Sequence, residues 1–280
     1  MKIEQRIKKI LPFVTKKSID DILLHPSNRA LVCRINNDFI IKIPLNAESG
    51  ADIEKEIKIA NILKQHDLST ATPNWERIDL PIDLEQNKYN PPFCAVSAVL
   101  KGNTPTVLDT PKLAQDLGQF LSGLHNIKTN LFEPILSSIE HIFNLELRMF
   151  DLLGYKINFT TKEYLKNTVF SPTNELFQNL IQPVLCHHDL HLGNLLVDKN
   201  GRLSGVLDFG CARIANRSCD LKLISSYQSS KVQKIFLDTY KQNTNKEIDL
   251  NTANTQENNL LLKMKTNLAI ALQHCQNQHS

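Results

Sequence analysis

The sequence predicts an α+β protein in two lobes, a small antiparallel β-sheet lobe with one helix followed by a larger, mainly helical lobe. Three observations predict it. Two β-rich runs flank a polar turn within residues 30–44, the apolar period changes from strand to helix over 51–65, and from residue 110 onward the apolar pattern is mainly helical.

The elements follow in order. MKIEQRIKKILPF is basic, but Glu4, Arg6, Lys8 and Lys9 break up the apolar stretch a secretory leader needs, so an amphipathic helix on the domain surface is expected. ALVCRINNDFIIKIP, residues 30–44, reads as two strands about Asn36-Asn37-Asp38, and Pro44 ends the second. Ile53, Ile57, Ala60 and Leu63 then recur at helical spacing. Pro73, Pro81, Pro91 and Pro92 leave loop and short strand between 66 and 92. FCAVSAVLKGNTP, residues 93–105, is a strand running into a Gly/Pro connector. The expected division places a first lobe at 1–96, a hinge at 97–103 and a second lobe at 104–280. Thr110 and Pro111 are the N-cap and first position of a helix whose Leu113, Leu117, Phe120, Leu121 and Leu124 form one core stripe. Helical pattern continues over 136–153, 161–181 and 221–242, and the chain closes on LLLKMKTNLAIALQHC. The Asn/Thr-rich piece from Gln242 to Asn259 reads as a surface loop.

Composition narrows the partners. A chain of 280 residues with 41% hydrophobic and 22% charged residues is ordinary for a soluble protein. Net charge is +3, and the balance is even: residues 1–103 hold 15 Lys+Arg and 13 Asp+Glu, residues 104–280 hold 17 and 16. Neither part is a basic arm or an acidic tail, so nucleic acid is not an expected partner. No apolar run approaches the roughly 20 residues of a membrane span. The six cysteines form no CxxC pair and read as reduced thiols of a cytoplasmic protein. A monomer is expected.

The chemistry concentrates in VLCHHDLHLGNLLVD, residues 184–198, and the following KNGRLSGVLDFG, residues 199–210. Asn200-Gly201 is a strong hairpin signal between two short apolar strands. In a tight hairpin, residues summing to 401 face each other, which sets Asn194 opposite Leu207 and Gly193 opposite Asp208. An amide oxygen and a carboxylate then meet at the open end, and such hard oxygen donors suit Mg²⁺. Asp189, five residues before Asn194, hangs over the same end. Lys42 is a cation in an apolar strand and needs a buried acid or an edge. Glu54 pairs with Lys58 on the helix surface, whereas Glu56 lies on the apolar stripe and is the expected partner of Lys42.

HHDLHLGN followed by DFG resembles the catalytic and metal-binding segments of the protein-kinase-like fold, and LGQFLSGLH, LCHHDLHLGNLLVD, GVLDFG and Asp220 together resemble the aminoglycoside phosphotransferase and choline kinase group. The resemblance covers roughly 25–225 and implies ATP (or GTP) with Mg²⁺, and transfer of the γ-phosphoryl to a small-molecule hydroxyl. It implies Asp189 as the carboxylate that takes the acceptor proton, and Asn194 and Asp208 as holders of Mg²⁺. It further implies Lys42 with Glu56 at the phosphates, His187, His191 and Asp220 as loop support, and backbone of the Ser97–Gly102 hinge, including Ser97 and Val99, on the purine. No glycine-rich loop precedes the first strand, so Ser27 or Asn28 of HPSNRA would grip phosphate. Only nine residues separate Gly210 from Asp220, which disfavours protein substrates.

Plainer readings compete. Zinc on Cys186, His187, His188 or His191 fits HxxxH spacing only on a helix, and the flanking runs read as strand. Lys42 as a solvated edge lysine and Glu56 as a surface acid are the alternatives at that pair. The chain also departs from the family pattern: Cys211 follows DFG, His188 stands where Gly is common, and Leu192 where Pro is common. The acceptor is expected to be aminoglycoside-like; a sugar, choline-type alcohol, homoserine or fructosamine is the alternative, with Glu140, Glu146, Asp151, Asp238 and Glu257 as candidate acceptor acids. A non-catalytic nucleotide-binding regulator on the same fold and a zinc hydrolase are the rivals.

Overall fold

The computed structural model describes residues 3–16, 18–25, 30–81, 92–132, 138–155, 157–181, 183–221, 229–244 and 250–277. The chain divides into two units: Met1–Phe120 with His191–Cys211, and Leu121–Leu190 with Ala212–Ser280.

In the first unit β1 (Ile22–His25), β2 (Ala30–Ile35), β3 (Phe39–Pro44), β4 (Glu76–Asp79) and β5 (Phe93–Ala98) form one antiparallel sheet in the order β1-β2-β3-β5-β4. Asn36 and Asn37 close β2 onto β3 with φ of 49° and 56°, a left-handed conformation that asparagine tolerates. Strand alternation then sorts the faces. Cys33, Ile35, Ile41 and Ile43 bury against Ile7, Ile10 and Leu11 of α1 (Ile3–Val14), so the N-terminal amphipathic helix covers one face of the sheet. Ala30, Phe93 and Ala95, with Val32 and Ile40, pack on Trp75 and on Ile53, Ile57 and Ala60 of α2 (Ala47–Leu63) on the other.

Helix α2 begins before the predicted residue 51. Asn46 accepts from the Ser49 amide at 2.8 Å while Ser49 Oγ accepts from the Asn46 amide at 3.0 Å, a reciprocal cap that apolar periodicity cannot reveal.

The hairpin of β7 (Leu195–Val197) and β8 (Leu203–Val206) also belongs to the first unit. Isolated bridges pair Asn103 with Val197 and Ala71 with Gly205. At Gly102 (φ 137°) an added Cβ would lie 3.0 Å from Leu196 Cβ and from the Val197 carbonyl oxygen, so close approach of the connector to the hairpin requires glycine there. Helix α3 (Pro111–Asn126) opens with Thr110 and Pro111 as expected, and its Asp116 accepts from the Leu203 amide at 2.9 Å and from Arg202 Nη2 at 2.5 Å. These ties draw the hairpin and the chain as far as Phe120 into the first unit, beyond the 97–103 connector.

The second unit is mainly helical. It holds α4 (Ser138–Leu152), α5 (Phe159–Leu165), a π-helical turn at Lys166–Phe170, α6 (Ser171–Ile181), α7 (Ser218–Leu221), α8 (Ser230–Thr244), α9 (Leu250–Asn277) and the antiparallel pair β6 (Val184–Cys186) with β9 (Arg213–Ala215). Phe143 and Leu147 of α4, Phe177 of α6 and Met264, Leu268 and Leu272 of α9 form its main core. The expected surface loop at 242–259 is corrected at both ends, since α8 runs to Thr244 and α9 covers 250–259, while residues 245–249 lie outside the described ones. Asn and Thr are weak helix formers, but the buried stripe Leu260, Met264, Leu268, Leu272 docks the helix that they begin. Of the helix expected over 221–242, residues 222–228 lie outside the described ones. Among the described residues no helix is long and apolar enough to cross a membrane.

Candidate active site

Register determines where Lys42 goes. Lys42 pairs with Val32 across β2 and β3, which turns it to the α2 face of the sheet. There Nζ lies 2.9 and 2.7 Å from the two carboxylate oxygens of Glu56, and 3.4 Å from Asp208 Oδ1. The Lys42 and Glu56 side chains are 14% and 4% exposed, so both charges are largely out of water and need each other. Burial alone would pull the Lys42 ammonium down, yet the Glu56 and Asp208 carboxylates hold it above its ordinary value. Trp75 completes the pocket, donating Nε1–H to Glu56 Oε1 at 3.0 Å with its ring 4.9 Å from Lys42 Nζ.

The hairpin delivers the second carboxylate and the amide. Leu195 pairs with Val206 and Leu196 with Gly205, the predicted sum of 401, but a register shift at Leu196/Val197 pairs Val197 with Leu203. The turn is one residue longer than the Asn200-Gly201 reading: Asp198 N–H donates to the Arg202 carbonyl, and the Asp198 side chain accepts from the amides of Asn200 and Arg202. The bulge restores the register before the open end, where Leu207 N–H donates to the Asn194 carbonyl at 2.8 Å. Asn194 is buried at the end of a 3₁₀ turn, Leu192–Asn194, that His191 caps by accepting from Gly193 N–H at 3.0 Å. Asp208 is exposed and adopts φ of 60°, with Gly210 N–H 3.4 Å from its Oδ1. One amide oxygen and one exposed carboxylate make a donor set that fits Mg²⁺ sharing its remaining positions with phosphate and water.

Asp189 belongs to the second unit, on the segment leaving β6. His187 is fully buried and accepts from the Asp189 amide through Nδ1 at 3.3 Å. Asp220 in α7 holds the same segment from below: its two oxygens accept from the His187 and His188 amides, each at 2.7 Å. Burial alone would push the Asp220 carboxyl up, but hydrogen bonds from His125 and the His188 amide hold it below its ordinary value.

Residues 187–190 are not helical, so the HxxxH zinc reading has no helix to make its ligands converge. Among the described residues the one close set of three possible ligands is His125, Cys186 and Asp220, which omits His187, His188 and His191. Ser97 lies opposite Ile40 in the sheet, and the Val99 N–H is taken by the Asp38 carbonyl at 2.9 Å. Ser27 and Asn28 lie outside the described residues. Of the candidate acceptor acids, Glu146 is 2.8 Å from Lys265 and Asp238 is 3.1 Å from Lys234. Burial pushes the Glu140 carboxyl up, partly offset by Lys166. Asp151 is exposed, and the Glu257 side chain lies outside the description. Trp75, Asp116, His125 and Tyr240 were not singled out by sequence reasoning. A lone tryptophan two residues after Pro73 and a histidine ending an apolar helix are the signals the sequence offers.

The family model described as the phosphotransferase enzyme family matches residues 25–249. Among solved structures, the GDP complex of wild-type aminoglycoside 2'-phosphotransferase-IIIa aligns with a TM-score of 0.63 at 16% identity, covering 99% of this chain and 93% of that one. The streptomycin-ATP ternary complex of APH(2")-IIa aligns at 0.62 and 16% identity over 96% and 97% of the two chains. The apoenzyme of macrolide 2'-phosphotransferase MphH from Brachybacterium faecium aligns at 0.60 and 15% identity over 97% and 93%.

Proposed function

Since the chain belongs to the phosphotransferase enzyme family and is a small-molecule kinase of protein-kinase-like fold, we propose the residues by which it moves the γ-phosphoryl of ATP or GTP to an acceptor hydroxyl. The observation that supports the assignment most is the Lys42 ammonium shared between buried Glu56 and exposed Asp208. Lys42 is thereby held charged and straight, ready to meet phosphate oxygens, with Glu56 as its brace. Asn194 and Asp208 would hold Mg²⁺, which when bound neutralises charge on the nucleotide phosphates. Asp189 takes the proton of the acceptor hydroxyl as its oxygen bonds the γ-phosphorus, and the bond from that phosphorus to the bridging oxygen breaks to release ADP or GDP. His187, His191 and Asp220 keep the loop in shape. Ser97 and the Val99 carbonyl would face the purine, with 97–103 acting as a hinge between lobes 1–96 and 104–280, and Ser27 and Asn28 would meet phosphate.

The acceptor is read as an aminoglycoside-like polyol, since two of the compared structures are aminoglycoside phosphotransferases. One observation favours a second reading. Glu146 and Asp238 are already paired with lysines, while Leu145, Met149, Leu152 and Phe159 are exposed in the same unit, a balance suited to an apolar-bodied alcohol such as a macrolide. The protein acts as a cytoplasmic monomer without a nucleic-acid partner in this reading. The test is nucleotide consumption across a panel of aminoglycosides, macrolides, amino alcohols and sugars, with Asp189→Ala as control. Wild type is expected to turn over one class, and Asp189→Ala to bind nucleotide but lose transfer by 10²-fold or more, a rough figure for a lost general base. Retained turnover in Asp189→Ala would remove Asp189 from the chemistry.

A further inference from the structure

We propose that Tyr240 is a positioning residue for the loop that carries Asp189, acting through His125 and Asp220. The inference rests on the phosphotransferase reading for its functional meaning, and on a buried chain of hydrogen bonds for its geometry. His125, at the end of α3, places Nε2 3.1 Å from Asp220 Oδ2 and Nδ1 2.7 Å from the Tyr240 hydroxyl of α8. The ring of Tyr240 and the side chains of His125 and Asp220 are all buried. Asp220 is a carboxylate with two loop amides already on its oxygens, so the Nε2 proton belongs to His125. Tyr240 remains a phenol inside the protein, and its oxygen faces Arg217 Nη1 at 3.5 Å, which leaves its one proton to point at His125 Nδ1. Donation thus runs from Arg217 through Tyr240 and His125 to Asp220, and the His187 and His188 amides donate to the same carboxylate from the other side.

That chain ends on a strained residue. His188 has φ of 69°, a left-handed conformation that favours glycine, and it directly precedes Asp189. The Asp220 clamp on its amide is what holds the turn, and the orientation of Asp220 depends on His125 and so on Tyr240. His125, Cys186 and Asp220 also have ligand atoms within 4.8 Å of one another, yet Cys186 Sγ hydrogen-bonds the Asn216 carbonyl at 3.2 Å and the other two belong to the relay.

Tyr240→Phe keeps the ring and removes the hydroxyl. Phe236→Leu, one turn away in α8, trims the ring stacked on Tyr240 and leaves every hydrogen-bonding group of the relay in place. Residue-resolved amide exchange on the full chain should show the His187 and His188 amides exchanging about tenfold faster in Tyr240→Phe, the scale of one lost hydrogen bond. With any acceptor found in the panel, kcat should fall several-fold while nucleotide KM stays within twofold. Phe236→Leu should lower thermal stability and leave both readouts near wild type. Wild-type exchange at His187 and His188 in Tyr240→Phe, or the same loosening in Phe236→Leu, overturns the proposal. Stoichiometric zinc in the purified protein does so too. Faster exchange in a protein whose wild type turns over no acceptor leaves the relay standing and removes the phosphotransferase reading instead.

Discussion

Trp75 donates its indole N–H to the same Glu56 oxygen that receives Lys42. The carboxylate of buried Glu56 is therefore held between a cation and a neutral donor from two different segments of the chain. Trp75→Phe keeps most of the packing and deletes the donor. It is expected to cost about 1.5–3 kcal/mol in urea denaturation, the scale of a hydrogen bond to a charged group. Nucleotide KM should rise with it, and unchanged values of both would detach Trp75 from the site.

The Lys42 ammonium titrates above an ordinary lysine in the folded protein because Glu56 and Asp208 outweigh its burial. A raised folded value makes its contribution to stability complete below the unfolded lysine pKa of about 10.4 and lost as pH rises through the folded value. Stability measured from about pH 9.5 upward should therefore fall more steeply in wild type than in a Lys42→Met, Glu56→Gln double variant. Parallel curves would mean the pair is not coupled to folding.

At the open end of the hairpin, Asp208→Asn removes the carboxylate proposed to hold Mg²⁺ together with Asn194. Turnover is expected to drop by roughly 10²-fold or more and to recover in part at high Mg²⁺, because oxygen donors remain but the charge is gone. Asn194→Ala should shift the Mg²⁺ requirement in the same direction. A variant with an unaltered Mg²⁺ titration would move the metal elsewhere.

Asp116 ties the hairpin to α3 by accepting from the buried Leu203 amide as well as from Arg202. Asp116→Ala should cost about 1–3 kcal/mol, since it leaves that amide unsatisfied. Arg202→Ala, at a half-exposed guanidinium, should cost under about 1 kcal/mol. Chemical denaturation of both variants checks the order, and a reversed order would assign the anchor to the ion pair.

Burial pushes the Cys33 thiol up to about 11, and Cys33, Cys94 and Cys186 are all fully buried. Alkylation of the native protein near pH 8 should therefore spare these three and reach the partly exposed Cys211, Cys219 and Cys275. Mass spectrometry of the labelled peptides decides it, and rapid labelling of Cys33 would contradict its burial.

Much of this is legible in periodicity and turn chemistry. The β2–β3 hairpin follows from Asn36 and Asn37, the sheet-side helix from Ile53, Ile57 and Ala60, and the pairing of Asn194 with Leu207 from two apolar runs about a glycine turn. Errors fell where side chains act over distance or replace an apolar signal. The start of α2 was hidden because Asn46 and Ser49 cap it with polar atoms, and the turn at Asp198–Arg202 was misjudged by one residue that the bulge then took back. The helix over 250–259 was misread because its own residues are polar and its stability comes from the stripe beyond them.

By itself the sequence determined the elements and the chemistry-bearing segments, since alternation, helical spacing and the DLHLGN and DFG spacings are local properties of the chain. Only the tertiary structure decided that Trp75 shares Glu56 with Lys42, that Asp116 anchors the hairpin, and that His125 and Tyr240 stand behind Asp220. Those contacts join residues far apart in the chain, and their energy comes from satisfying buried donors and charges that no local pattern records.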